Sequence, residues 1–267
     1  MKRLFQAAFL ITVAAVSTQA QDFQKSYQAS PDSTLSVKNA SGNITIIGDD
    51  GNAIVVSAYK EGRDRDRVEI EDLSAGNNVD VRAKYPERCS NDCQASVRFE
   101  IRVPRQVNIN IDKVSTASGD IKVSTMRGRV RVSTASGDVR VKDVAGAINA
   151  SSASGDVEIL NVSGVVSAQT ASGNVTAEIA QLEGSESMKF STASGDVAVR
   201  MPSNLEAEVE MSTISGKVET DFPLQVEEQR HGPGSNARGR LGNNARSLRI
   251  TSASGNVSLK TLGTAAR

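Results

Sequence analysis

This sequence predicts an all-β fold, a parallel β-solenoid whose rungs are two strands each, on three observations. The string Ala-Ser-Gly-Asp returns every 18 residues, as Ala117–Asp120, Ala135–Asp138 and Ala153–Asp156, and continues as Ala171-Ser172-Gly173-Asn174. A second glycine falls half a period away, at Gly128, Gly146 and Gly164. Between the glycines apolar residues alternate with polar ones, the period of a strand with one buried face. A fixed period of this length means stacked supersecondary units rather than a globule around a central core. The chain of 267 residues has no Trp, 6 Phe and 3 Tyr, so Val, Ile, Leu and Ala must fill a narrow interior. The absence of a six-residue period argues against a left-handed triangular coil, and a right-handed one is expected.

The first 20 residues read as a secretory signal. Lys2 and Arg3 precede an apolar run from Leu4 to Val16, and Thr18-Gln19-Ala20 supplies small residues for cleavage. The run is too short to span a bilayer, and no cysteine follows it to carry a lipid anchor. The mature chain is therefore expected in the periplasm, at the cell surface or outside the cell, without a membrane span.

Residues 21–105 are expected to form a β region that caps the solenoid. Leu35-Ser36-Val37 and Ile44-Thr45-Ile46 alternate around the early turn Ala40-Ser41-Gly42-Asn43. Ile54 to Tyr59 is a strand. Val68 to Glu71 and Val79 to Arg82 pair across the turn-rich Ser74–Asn78. A second hairpin is expected to carry Cys89 and Cys93 at its tip and to return as Val97–Val103. In an oxidising compartment these two cysteines form a disulfide that pins a small turn. Cys-x-x-Cys would suit a redox pair better, and a zinc site needs two further ligands.

Residues 106–267 are the repeat solenoid. Ile121/Val123, Val139/Val141, Val157/Ile159 and Val175/Ala177 are expected to stack on one inner side. Val130/Val132, Ile148/Ala150 and Val166/Ala168 stack on the other. Lys122, Arg140, Glu158 and Thr176 then face solvent. No proline falls between Pro104 and Pro202, so every ladder donor is available. Looser copies of the turn follow at Ser194-Gly195, Ser215-Gly216 and Ser254-Gly255. The stretch 229–246, rich in Arg and Gly, reads as an excursion from the coil, partly mobile, between the last two.

At this point the chain resembles the exported bacterial putative-adhesin family of β-strand repeat proteins, a domain family of unknown function. The likeness rests on the strand Phe99–Pro104, on the Ser-Gly-Asp turns beginning at Val114–Ile121, and on the closing Leu248–Val257. It covers roughly residues 35–262. It implies an exported solenoid with an adhesive or envelope role, and it brings no catalytic residues.

Candidate sites are few. Asp120, Asp138, Asp156 and Asp196 should form a ladder along one edge, and a cation would relieve their repulsion. One carboxylate per rung is a poor calcium ligand set, so turn capping is the favoured reading. Thr116, Thr134, Ser152, Thr192 and Thr213, with the serines beside them, could offer a flat hydroxyl array to a glycan. A polar face near a corner is the plainer reading. Arg230, Arg238, Arg240 and Arg246 could hold anionic groups, and a solvated loop is the alternative. His231 is the only histidine and has no visible partners.

No nucleophile with a base and no phosphate loop is present, so an enzyme is not expected; a polysaccharide-active solenoid is the remote alternative. No cofactor is implied. Lys+Arg and Asp+Glu are both 31, which gives no general attraction to nucleic acid or anionic lipid. The expected function is a noncatalytic, adhesin-like module for a glycan or envelope protein. A structural or assembly role in the envelope is the alternative.

Overall fold

A computed structural model describes residues 21–86, 93–228, 234–243 and 246–263. The signal segment, Cys89 and its pairing, Arg230, His231 and the tail 264–267 lie outside the described residues.

The first seven strands are β1 (Phe23–Gln28), β2 (Thr34–Lys38), β3 (Ile44–Asp49), β4 (Ala53–Glu61), β5 (Glu69–Asp72), β6 (Asn78–Lys84) and β7 (Ser96–Pro104). The repeats supply β8 (Asn110–Ser118), β9 (Ile121–Arg127), β10 (Val130–Ser136), β11 (Val139–Ala145), β12 (Ile148–Ser154), β13 (Val157–Ser163), β14 (Val166–Ser172) and β15 (Val175–Gln181). The chain closes with β16 (Met188–Ser194), β17 (Val197–Met201), β18 (Ala207–Ser215), β19 (Val218–Thr220), β20 (Gln225–Glu228), β21 (Ser235–Leu241), β22 (Ser247–Ser254) and β23 (Val257–Thr261).

These strands form two long, mostly parallel sheets. One has 11 strands in the order β1-β4-β7-β3-β9-β11-β13-β15-β17-β23-β19. The other has 12, in the order β20-β21-β18-β22-β16-β14-β12-β10-β8-β2-β6-β5. Each rung lays one strand in each sheet and turns between them at a Ser-Gly corner. The registers follow the 18-residue period: Val130 pairs with Ile148 and Ile148 with Val166 in one sheet, Ile121 with Val139 and Val139 with Val157 in the other. The inward columns expected from the sequence are all buried at 3% exposure or less. This is the two-sheet β-solenoid that the repeat pattern predicts.

The order of the rungs departs from the order of the chain at both ends. The rung β2–β3 lies between β8–β9 and β6–β7, and the rung β22–β23 lies between β16–β17 and β18–β19. Near-identical rungs offer the same glycine corner and the same Val/Ile faces to any neighbour, so stacking need not follow the chain. Both ends then close with antiparallel strands: β4 on β7, β1 on β4 and β5 on β6 at one end, β21 on β18 and β20 on β21 at the other.

Two expectations need correction. The expected second hairpin is not formed, because β6 belongs to one sheet and β7 to the other. Tyr85, just after β6, donates its hydroxyl to the Ser41 carbonyl (3.0 Å). The stretch 229–246 is not simply an excursion. Its described part includes β21, which pairs antiparallel with β18 from Ala207↔Leu241 to Thr213↔Ser235. The strand end of the last rung would otherwise expose unpaired backbone, and β21 satisfies it.

Candidate functional site

The Ser-Gly corner carries three ladders, each one residue wide. The glycines stack directly: a Cβ built on Gly137 would lie 2.2 Å from the Gly119 carbonyl oxygen, and one on Gly155 2.1 Å from that of Gly137. Glycine is required here by the close approach of backbone to backbone, as well as by φ values such as +145° at Gly137.

The acidic ladder is the second. Asp120 Oδ1 accepts the backbone N–H of Asp138 (3.0 Å), Asp138 Oδ1 that of Asp156 (3.0 Å), and Asp156 Oδ1 that of Asn174 (2.7 Å). Asn174 Oδ1 takes Asp196 (2.9 Å) and Asp196 Oδ1 takes Asn256 (2.6 Å). Asn43 starts the row, accepting from Asp120 at 2.8 Å. A carboxylate and an amide oxygen accept equally well, which is why Asn interchanges with Asp along it. One oxygen of each carboxylate therefore ties adjacent rungs together. Arg140 lies across the remaining charge, bonded to Asp138 Oδ2 (2.9 Å) and 3.3 Å from Glu158.

The hydroxyl ladder is the third, and it faces inward. Thr116, Thr134, Ser152, Thr192 and Thr213 are 3–7% exposed. Thr134 donates to the Gly119 carbonyl (3.0 Å), Ser152 to Gly137 (2.9 Å), Thr192 to Gly173 (2.9 Å) and Thr213 to Gly255 (2.8 Å). Thr116 reaches Gly42 at 3.2 Å. Thr170 and Ser252, which the sequence reading passed over, make the same bond to Gly155 and Gly195. These hydroxyls are spent on backbone carbonyls inside the corner; the serines before them, Ser133 and Ser151 among them, are the partly exposed ones.

The arginines of the C-terminal region separate. Arg238, on β21, pairs with Glu210 (2.8 Å), and Arg249 pairs with the other oxygen of the same carboxylate (2.6 Å). Arg240 is exposed and sits in register with Glu208. Glu210 on β18 thus pairs with an arginine on each neighbouring strand. Arg246 is different: it is 4% exposed, donates to the Gly184 carbonyl, and leaves Nε without a partner.

A further column was missed in the sequence. Thr125, Asp143 and Asn161, again 18 residues apart, all take left-handed backbone angles, with φ of 57°, 54° and 51°. The strand pairing passes over Asp143 between Lys142↔Leu160 and Ala145↔Ser163. The 18-residue register is the same on either side, so β9, β11 and β13 bend together at one level without an extra residue. Beside this level lies a hollow of about 330 Å³, with Met126, Val144 and Val162 among its lining. Asp and Asn in register would have been the signal, since these two tolerate the left-handed region best.

The chain matches the family model Toastrack DUF4097 over residues 25–260 and belongs to that family. No curated protein matches it. Among solved structures it is similar to a "putative cell adhesion protein" from Clostridium sporogenes, at 12% identity over 90% of this chain and 99% of that one, TM-score 0.42. It is also similar to a "putative adhesin" from Bacteroides fragilis, at 12% identity over 90% and 96%, TM-score 0.39. A "putative lipid binding protein" from Parabacteroides distasonis matches at 10% identity over 90% and 96%, TM-score 0.33. No helix among the described residues is long and apolar enough to cross a membrane.

Proposed function

We propose that this protein is a noncatalytic, exported binding module of the cell envelope, which presents a rigid solenoid flank to a glycan or an envelope protein. The observation that supports this most directly is the division of labour among the repeated polar residues. The corner Asp and Thr ladders are consumed in joining rung to rung, so they hold the scaffold stiff. The outward-facing serines and the hollow beside the bend are left to meet a partner. The short Cys89–Cys93 loop belongs to this reading as a staple of an exported chain.

The assembly alternative meets an obstacle in the edges. Three of the four terminal strands, β19, β20 and β5, are three or four residues long and carry Glu219, Glu227, Glu69, Glu71 and Asp72, while the fourth, β1, has six residues and carries Lys25. Short, charged edges oppose end-to-end pairing. The test is retention of purified chain 21–267 on envelope fractions and glycan-coated supports, with size measurement in parallel. Saturable retention of a monomer supports the binding reading. Concentration-dependent polymers without retention would replace it with assembly.

A further inference from the structure

The hollow beside the bend does not end at the third rung. It shares Ala180 and Gln181 with a second hollow of about 430 Å³, whose far side is formed by Asn204, Glu206 and Arg246. The two make one furrow that runs along the solenoid axis, crossing β9, β11, β13 and β15. Successive strands stand about 4.8 Å apart, so the furrow is a linear feature several rungs long.

Its lining is cationic at both ends. Arg105 and Arg127 stand at one end and Arg246 at the other. Among the described residues, three buried side-chain polar atoms lack a hydrogen-bond partner, and two of them are the Nε atoms of Arg105 and Arg246. Arg105 engages Asp50 through Nη2. Arg127 is exposed, and neither it nor the buried Arg246 has a described carboxylate in ion-pair contact. An unmet donor on a buried guanidinium is costly and is satisfied well by a planar carboxylate. The acids facing the furrow are Asp143, which accepts from the Asn161 amide, and Glu206, whose chain lies against Gly242. Between the cationic ends the rim offers Thr125, Asn161, Gln181 and Asn204, which both donate and accept. The floor carries Met126, Val144 and Val162.

We infer that this furrow is the binding site of an acidic polysaccharide, an extended hydroxyl-rich chain bearing carboxylates, laid along the solenoid axis with its carboxylates at Arg127 and Arg246. The inference rests on the binding-module reading and names its site and ligand class. A linear polymer fits a linear furrow. Hydroxyls match the mixed amide and hydroxyl rim, and carboxylates match guanidiniums that lack one. The left-handed column at 125, 143 and 161 keeps the furrow open, a place where backbone strain serves a site.

The test is calorimetric titration of chain 21–267 with polygalacturonate at low salt, with dextran as the neutral polymer and inorganic phosphate as the small anion. Saturable binding of polygalacturonate, none of dextran, and weakening by about tenfold in Arg127→Gln and in Arg246→Gln is expected, the loss of one charge-assisted contact each. Arg127 is at the surface, so its variant decides the matter if Arg246→Gln fails to fold. Absence of saturable binding, equal binding of dextran, binding of phosphate alone, or wild-type affinity in a folded Arg127→Gln would overturn the proposal. Retention on envelope fractions without polygalacturonate binding would overturn the furrow assignment and leave the binding-module reading standing. Retention on neither would remove both.

Discussion

Replacing Gly137 with alanine probes the element that sets the rung spacing. The new Cβ would sit 2.2 Å from the Gly119 carbonyl oxygen and 2.6 Å from its carbon, both backbone atoms that cannot rotate away. Forcing the two rungs apart is an overpacking cost of about 1–3 kcal/mol. Holding a side chain at φ +145° adds about 1–3 kcal/mol of backbone strain. The expected destabilisation is the sum, about 2–6 kcal/mol. Gly76 is the control. It also has positive φ, at +59°, but nothing lies within 4 Å of a Cβ there. Alanine at Gly76 should cost about 1 kcal/mol, the left-handed penalty less the entropy removed from the unfolded chain. Urea unfolding followed by circular dichroism measures both. If Gly137→Ala costs no more than Gly76→Ala, close stacking of glycine on glycine is not what spaces the rungs.

Other outcomes follow from the same geometry. Thr134→Val should cost about 1–3 kcal/mol by leaving the Gly119 carbonyl without its hydroxyl donor, whereas Ser133→Ala at the neighbouring outward position should be close to neutral in the same unfolding assay. Calorimetry with millimolar calcium should show no binding heat, because each ladder carboxylate already ties down the next rung; a saturable isotherm lost in Asp138→Asn would show otherwise. Acid should weaken the N-terminal end. Burial alone pushes the Asp72 carboxyl upward, but hydrogen bonds from Lys25 and Ser74 bring it down to about 2. A depressed carboxyl stabilises the fold above the unfolded value near 4 and loses that contribution as pH falls toward 2. Stability should therefore fall through that window, and less so in Asp72→Asn. Sedimentation should show a monomer across concentration, given that three of the four edges are short and acidic and the fourth carries Lys25.

Much of this architecture could be read from the chain because stacking repeats its own spacing. Val130, Ile148 and Val166 are 18 residues apart and sit in register for that reason. The same rule carried one step further would have placed Thr134, which shares the parity of Val130 and Val132, inside rather than on the surface. The intercalated rungs were not legible, because Gly255 stacks between Gly195 and Gly216 through contacts any repeat could make. Only the 39-residue gap between Gly216 and Gly255 hints at enough chain to go out, pair antiparallel and return. The left-handed column was hidden for another reason. Thr125, Asp143 and Asn161 look like ordinary outward residues until their backbone angles are known. Arg246 and Arg238 look alike in sequence, and only the fold shows one buried without a carboxylate and the other paired with Glu210.

The central claim is that the corner ladders build the scaffold while recognition takes place elsewhere on it. Retention of chain 21–267 on envelope glycans, compared between Thr134→Val/Thr192→Val and Arg127→Gln, tests it most directly. The account predicts saturable retention that survives in the folded hydroxyl variant and falls in the arginine variant. Retention lost with the hydroxyls and kept without Arg127, or no retention by a folded monomer, would contradict it.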